Sequence, residues 1–164
     1  MLKGKNIVLR PLQDSDLDFL EKTENNKENW QFGSEQKKYT KQELADYIAK
    51  GKTDIKVAKQ YRFVIDLKGA PIGFIDLFDY TKKSAGVGVI VAENYRNKGF
   101  AKEALMLLIN YAFSDIKLKQ LHCKITKANA ASIHLFIACK FIFQREQADL
   151  KYFIILAKNE KFKL

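Results

Sequence analysis

The stretch VAENYRNKGFAKEAL, residues 91–105, decides how this sequence is interpreted. It places Arg96, Lys98 and Lys102 around one glycine, Gly99, just before an apolar pattern typical of a buried helix face. The first turn of a helix carries about four backbone N–H groups without a helical partner and about half a positive charge. Arg96 offers a bidentate donor, and Gly99 lets the backbone approach a ligand closely. The stretch therefore predicts an anion site, with a phosphate as the natural ligand.

Two familiar phosphate-binding patterns do not fit this stretch. A Walker loop needs the spacing G-x-x-x-x-G-K-[ST], and a dinucleotide fingerprint needs three glycines; residues 91–105 have neither. The alternative to an anion site is a solvated turn in which the lysines are grouped by chance.

Length and composition indicate an ordinary globular protein. The chain has 164 residues, which predicts one domain over residues 1–164, and 47% of them are hydrophobic. No apolar run approaches the ~18 residues of a membrane span, and the N-terminus lacks the apolar stretch of a secretory signal. Cys123 and Cys139 form no CxxC pair and no disulfide framework. We expect a reducing, cytoplasmic location.

The formal net charge of +10 favours an anionic partner without identifying it. The lysines are scattered along the chain, and no helix-turn-helix, zinc or RNP-type motif is present, so we expect no nucleic acid partner. His122 and His134 lie on opposite sides of Asn129 without metal-ligand spacing. We expect no metal.

The periodicity of apolar residues predicts seven strands and four helices. The strands are predicted at 6–12, 61–67, 71–80, 85–91, 120–126, 141–146 and 152–157, and the helices at 14–24, 40–50, 99–114 and 129–139. Ser15 with Asp18, and Thr40 with Glu43, have the spacing of capping boxes at two helix starts. Residues 24–38 are predicted to form a loop. This order indicates an α/β (α+β layered) domain with a mixed central sheet.

Three segments carry a resemblance to a known family. RNKGFA, residues 96–101, resembles the R/Q-x-x-G-x-G/A signature of the GCN5-related N-acetyltransferases (GNAT family). NAASIHLFIACKF, residues 129–141, is similar to that family's N-x-x-S-x-x-L-[YF]-x-x-x-G-F segment. IVLRPLQDSDLDFL, residues 7–20, resembles the start of the ribosomal-protein-alanine and spermidine acetyltransferase branches. The resemblance covers nearly the whole chain.

The resemblance implies an acetyl-CoA-dependent N-acetyltransferase. In the family, two parallel strands splay apart and the pantetheine arm of coenzyme A enters the gap; here these would be strands 85–91 and 120–126. The backbone of Val89 and Val91 would bind the arm, and Asn129 and Phe136 would lie beside it. The pyrophosphate would be held by Arg96, Asn97, Lys98, Gly99, Phe100, Ala101 and Lys102. The acceptor amine would attack the thioester directly, without a covalent enzyme intermediate.

The catalytic groups are less well defined. Phe136 stands where the family often has a tyrosine that can protonate the leaving thiolate, so solvent or Ser132 would take that role. Some relatives carry a glutamate base on the strand before the phosphate loop, but SAGVGVI, residues 84–90, contains none. The general base is therefore not assigned. Asp76 and Asp79 are the nearest carboxylates in sequence, and their spacing in a strand predicts opposite faces.

The acceptor is either a polyamine or other small amine, or a protein N-terminal amine. The candidate residues for binding it are Glu28, Trp30, Asp76 and Asp79, with Glu24 and Glu35 as further carboxylates for a polycation. A monomer or homodimer is expected. The alternatives to an enzyme are a non-catalytic regulator that binds coenzyme A and a basic nucleic-acid-binding module.

Overall fold

The computed structural model describes residues 1–32 and 37–158, with the backbone alone at 30–32. One mixed sheet runs through it with eight strands in the order β1-β2-β3-β4-β5-β6-β8-β7. The strands are β1 (Leu2–Lys3), β2 (Val8–Pro11), β3 (Tyr61–Leu67), β4 (Ala70–Phe78), β5 (Ser84–Val91), β6 (Gln120–Thr126), β7 (Ile142–Gln147) and β8 (Leu150–Leu156). The predicted α/β layered fold with a mixed sheet is confirmed.

Five α-helices accompany the sheet in the described part of the chain. They are α1 (Leu17–Glu24), α2 (Lys41–Lys50), α3 (Ile55–Ala58), α4 (Phe100–Asn110) and α5 (Ala130–Ala138). A 3-10 helix, Lys27–Phe32, lies within the segment predicted as a loop, and a single π-helical turn, Tyr111–Asp115, continues α4. None of the helices within 1–32 and 37–158 is long and apolar enough to cross a bilayer.

The helix starts confirm one capping prediction and correct another. Thr40 caps α2, since its hydroxyl accepts the N–H of Glu43 at 3.1 Å and the Glu43 carboxylate accepts the N–H of Thr40. At α1 the predicted Ser15–Asp18 box is wrong. Gln13 and Asp16 take those positions, because the Asp16 carboxylate accepts the N–H of Gln13 and is held by Arg10 from the neighbouring strand.

The structure has one more strand and one more α-helix than the sequence predicts. β1 has two residues, which pair with Val8 and Leu9, and α3 has four residues. Elements this short have no measurable period in the sequence, so pattern alone does not reveal them.

Two apolar clusters lie on opposite faces of the sheet. α4 and α5 cover one face through Leu105, Leu108 and Phe136. α1 and α2 cover part of the other through Leu20 and Ile48. Because strand residues alternate between faces, Val87 points to α4, whereas Gly86, Gly88 and Ile90 belong to the face shared with α1 and α2.

Candidate active site

The strands β5 and β6 form a fork. They pair in parallel at Ser84–Gln120, Ala85–Leu121 and Gly86–His122. In the described chain no pair follows, although β5 continues to Val91 and β6 to Thr126. The sequence resemblance implied a splay between these two strands, and the structure has it.

The backbone of β5 offers hydrogen-bonding groups to this fork. Just after β5, the N–H of Ala92 donates to the carbonyl of Ile72 in β4 at 2.8 Å. Because groups alternate along a strand, the even-numbered residues of β5 bond β4, and the odd-numbered ones turn their N–H and C=O groups toward β6. Val89 and Val91 therefore face the fork, as expected.

A cleft of about 330 Å³ opens from the fork. Its wall contains every residue predicted to bind the cofactor except Lys98 and Phe136. It is lined by Val89, Ile90, Val91, Tyr95, Arg96, Asn97, Gly99, Phe100, Ala101, Lys102, Asn129, Ala131, Ser132 and Leu135. The sequence assigned no site role to Ile90, Tyr95, Ala131 or Leu135. Ala131 and Leu135 lie inside the segment 129–141 that carried the resemblance, and Tyr95 immediately precedes the segment 96–101.

Helix α4 begins at the rim of this cleft, and its N-cap is Gly99 with φ 85°. This left-handed conformation favours glycine, and a Cβ atom on Gly99 would meet nothing within 4 Å. The backbone N–H groups of Gly99, Phe100 and Ala101 belong to the end of the helix that lacks helical acceptors. The residues present thus fit a phosphate group held at the helix start.

Arg96 has internal partners. Its Nε atom donates to the carbonyl of Val91 at 2.8 Å, and its Nη2 atom donates to Oδ1 of Asn29 at 3.2 Å. The guanidinium therefore ties the loop before α4 to the end of β5 and to the 3-10 helix Lys27–Phe32. Lys98 is exposed, with its Nζ atom 6.0 Å from the ring centroid of Tyr95. Lys98 is absent from the cleft wall, and its contact with the pyrophosphate stays a prediction.

Helix α5 forms the opposite wall. Oδ1 of Asn129 accepts the N–H of Ser132 at 3.2 Å, so Asn129 caps the helix as well as lining the cleft. Ser132 lies half-buried in the first turn and reaches the same cleft. Phe136 is in the core, with its ring 4.9 Å from that of Phe141, and it is absent from the cleft wall. Its predicted place beside the cofactor stays a prediction.

Arg62 pairs with the carboxylates of both Asp76 and Glu24. Its Nε and Nη2 atoms each donate to one oxygen of Asp76 at 2.9 Å, and Nη1 donates to Glu24. Burial alone lowers the pKa of Arg62, but the charges of Asp76 and Glu24 outweigh it and raise this pKa well above its usual value. Asp76 and Glu24 form an internal ion cluster, which corrects their prediction as carboxylates available to an acceptor.

The remaining acceptor candidates are dispersed. Glu28 is exposed on the 3-10 helix, and Asp79 is exposed just after β4 with φ 47°. The opposite-face prediction for Asp76 and Asp79 concerned a continuous strand, whereas β4 ends at Phe78. The side chain of Trp30 and all of Glu35 lie outside the described residues.

The cysteines are buried thiols, and burial raises the pKa of Cys123 to about 12. Burial also raises the pKa of Cys139, with nearby Lys102 opposing the shift. Neither is suited to act as a nucleophile at neutral pH, because the thiolate is the reactive form. Among the described residues no group of three or more His, Cys, Asp or Glu side chains is arranged to hold a metal ion.

Comparisons with known proteins agree with this geometry. Residues 6–142 match the family model described as an acetyltransferase (GNAT) domain. The chain is 26% identical over 148 residues to a spermidine N(1)-acetyltransferase of Escherichia coli (strain K12), which covers 89% of this chain and 78% of that protein.

Solved structures share the fold. The structure of a spermidine N-acetyltransferase from Vibrio cholerae in complex with CoA and spermine has a TM-score of 0.84 at 24% identity, covering 93% of this chain and 96% of that one. A dodecameric structure of spermidine N-acetyltransferase from the same organism has a TM-score of 0.77 at 25% identity, covering 93% and 95%.

Fold and site together define an acetyltransferase of the GNAT type. The chain belongs to the GNAT acetyltransferase family. It is an acetyl-CoA-dependent N-acetyltransferase.

Proposed function

We propose that the cleft between β5 and α5 is the coenzyme A site and that the acceptor is a polyamine. The fork carries the first part of this proposal, because it leads backbone groups of β5 directly to the start of α4. Bound acetyl-CoA supplies the acetyl thioester that the acceptor amine attacks.

The chain's own residues divide the work of binding. The N–H and C=O groups of Val89 hydrogen-bond the pantetheine arm, in the manner of an added strand. The N–H groups from Gly99 to Lys102 hold the pyrophosphate, with the Lys102 side chain adding positive charge. Arg96 holds the loop in shape through Val91 and Asn29 and adds its charge to the same region. Ser132, in the wall formed by α5, is the candidate proton donor to the thiolate, with solvent as the alternative.

The polyamine acceptor is supported by what the similar proteins are named for. A spermidine acetyltransferase matches most of this chain in sequence, and another shares its fold. The net charge of +10 opposes a polycation at long range, although the local field at a binding site outweighs the net charge.

A protein N-terminal amine is the second candidate. One observation favours it: Arg62 offsets one of the two negative charges of Asp76 and Glu24, which leaves less negative charge in this cluster for a polycation to meet. A singly charged or neutral amine has no such need.

Thiol release from acetyl-CoA tests both acceptors. Spermidine, spermine and a peptide with an N-terminal alanine are compared at equal concentration, with an N-acetylated copy of the peptide as the blank. We expect turnover with the polyamines. Turnover with the peptide alone would replace the polyamine by a protein acceptor. If nothing turns over while coenzyme A still raises the melting temperature, the chain is a coenzyme A-binding regulator instead.

The binding step has its own measurement. A ligand at 100 times its Kd stabilises the folded state by ~2.7 kcal/mol. The absence of both a thermal shift and calorimetric heat at millimolar acetyl-CoA would contradict the assigned site.

Three further expectations belong to the proposal. We propose one domain over residues 1–164, supported by the single sheet that includes both Leu2 and Leu156. We propose a cytoplasmic location, supported by the two cysteines that are free thiols. For assembly we propose a monomer or homodimer, and size-exclusion chromatography with light scattering tests it against a larger assembly.

A further inference from the structure

Among the described residues, the sheet has an open space above Gly88 on the face that it shares with α1 and α2. Within them a Cβ atom on Gly88 would meet only Cε1 of Phe78, at 3.9 Å, whereas a Cβ on Gly86 would collide with the Phe78 ring. Phe78 therefore lies across Gly86 and forms one wall of the space over Gly88. β5 has parted from β6 at this point, so the space adjoins the fork.

His122 stands at the point where the fork begins. It is paired with Gly86, the last residue of β5 that pairs with β6 in the described chain. Paired residues of neighbouring strands point to the same face, so the imidazole lies on the Gly88 face. Its ring meets the Phe78 ring edge-on, with the centroids 6.4 Å apart and the planes at 87°. The imidazole and the space above Gly88 thus share Phe78 as a wall.

The other titratable group beside this space is already engaged. Asp76 is the partner of Gly88 across β4 and β5, but both of its carboxylate oxygens accept hydrogen bonds from Arg62. The ring nitrogens of His122 make no hydrogen bond within the described residues. An imidazole with a nitrogen lone pair is the better proton acceptor of the two groups.

Burial favours the neutral form of the His122 imidazole. Burial lowers the pKa of His122, Asp79 after β4 opposes this, and Lys124 on the same strand lowers the pKa further. The 3-10 helix that contacts β6 carries Lys27 and Glu28, both exposed. The neighbouring strands face the ring with Gly86 and Ile154, which carry no charge.

We propose that His122 is the general base of the reaction, a role that neither the sequence motifs nor the cleft wall assigns. The inference rests on the proposed function, since it needs an acceptor amine over Gly88. As the amine nitrogen bonds to the acyl carbon, the C–S bond breaks and its electron pair leaves on sulfur. The nitrogen must then lose one proton, and an imidazole nitrogen of His122 takes it.

The chain offers a matched control for this role, because it has two histidines. His134 is exposed on α5 and serves as the control position. His122→Gln is compared with His134→Gln for kcat against pH with saturating acetyl-CoA and spermidine. We expect His122→Gln to lower kcat by about 100-fold or more and to remove the ascending limb of the profile, with His134→Gln unchanged.

A second measurement does not depend on the folding of the His122 variant. In His134→Gln, the single remaining imidazole gives one C2–H signal in the proton NMR spectrum. We expect it to titrate below the usual histidine pKa of about 6.5, at the midpoint of the kcat limb when free coenzyme A is bound. We also expect spermidine to shift this signal in the coenzyme A complex.

The outcomes separate this inference from the proposed function. No turnover by the unaltered chain with any amine would overturn the proposed function. Turnover with the same pH limb in His122→Gln, or an NMR pKa that differs from the midpoint of the limb, would overturn the role of His122 alone. A lower melting temperature without a change in the pH profile would mean that His122 only packs against Phe78.

Discussion

An aspartate at position 99 gives the sharpest test of the coenzyme A site, provided that the effect of its charge on binding is measured separately from the effect of the backbone strain that it introduces. Gly99 has φ 85°, where a residue with a Cβ pays about 1–2 kcal/mol of backbone strain. The space around it is open, so no collision adds to this strain. Gly99→Asn and Gly99→Asp have nearly the same shape, and both residues tolerate the left-handed region better than most. The difference between their Kd values for coenzyme A therefore measures the effect of one negative charge.

The size of that difference follows from Coulomb's law. A carboxylate about 5 Å from a phosphate charge costs roughly 3 kcal/mol at an effective dielectric constant of about 20. Since 1.4 kcal/mol is a factor of ten in Kd, Gly99→Asp should bind coenzyme A about 100-fold more weakly than Gly99→Asn. Both variants should unfold at a similar temperature without ligand, because they share the backbone strain.

Isothermal titration with coenzyme A measures both Kd values, and far-UV dichroism shows that both variants are folded. The titration is repeated at 0.5 M salt. If the difference between the two Kd values is electrostatic, screening by salt should reduce it. Equal Kd values for the two variants would refute the placement of the phosphates at the start of α4. A gap that persists unchanged at high salt would point to shape instead of charge.

Three further predictions concern other parts of the site and the core. Arg96→Ala should weaken coenzyme A binding more than pantetheine binding, because a charge-assisted bond to phosphate contributes ~1.5–3 kcal/mol. Equal losses of binding free energy for the two ligands in calorimetry would contradict phosphate binding by Arg96. Burial raises the pKa of Asp16, but its bonds from Arg10 outweigh this and lower it, so the pair stabilises the fold above about pH 4 and its contribution falls away in more acidic solution. Asp16→Asn should therefore cost about 3 kcal/mol in urea unfolding at pH 7 and much less at pH 3, and a loss independent of pH would count against the pair. Phe136→Tyr should leave the rate of transfer unchanged and lower stability by ~1–3 kcal/mol, because Phe136 is buried in the core; a faster enzyme would show that proton delivery to sulfur limits the rate.

The parts of the site that the sequence predicts are built from residues close together in the chain. The anion site needs the start of α4 and the residues of 96–102, all within two helical turns. Thr40 and Asn129 cap their helices through N–H groups three residues ahead. Contacts of this range depend on local backbone geometry, which residue type and spacing specify. The same locality explains why hydrophobic alternation located most of the strands.

Other features required the tertiary structure, because they depend on which strands are neighbours. Arg62 meets Glu24 across 38 positions of sequence, and two of the five carboxylates named for binding an acceptor, Asp76 and Glu24, are paired in that cluster. Arg96 hydrogen-bonds Asn29, which is 67 positions away in the sequence. A residue predicted to bind phosphate therefore also contacts the 3-10 helix Lys27–Phe32.

By itself, the sequence determined most of the secondary structure and the Thr40 cap of α2, and it predicted the anion-binding turn, since each depends on interactions within a few residues. Only the tertiary structure decided that β5 parts from β6 after Gly86 and that His122 stands at that point beside Phe78. The physical reason is that strand pairing is non-local. A histidine in a strand pattern has two faces and several possible neighbours, and the register of the folded sheet selects among them.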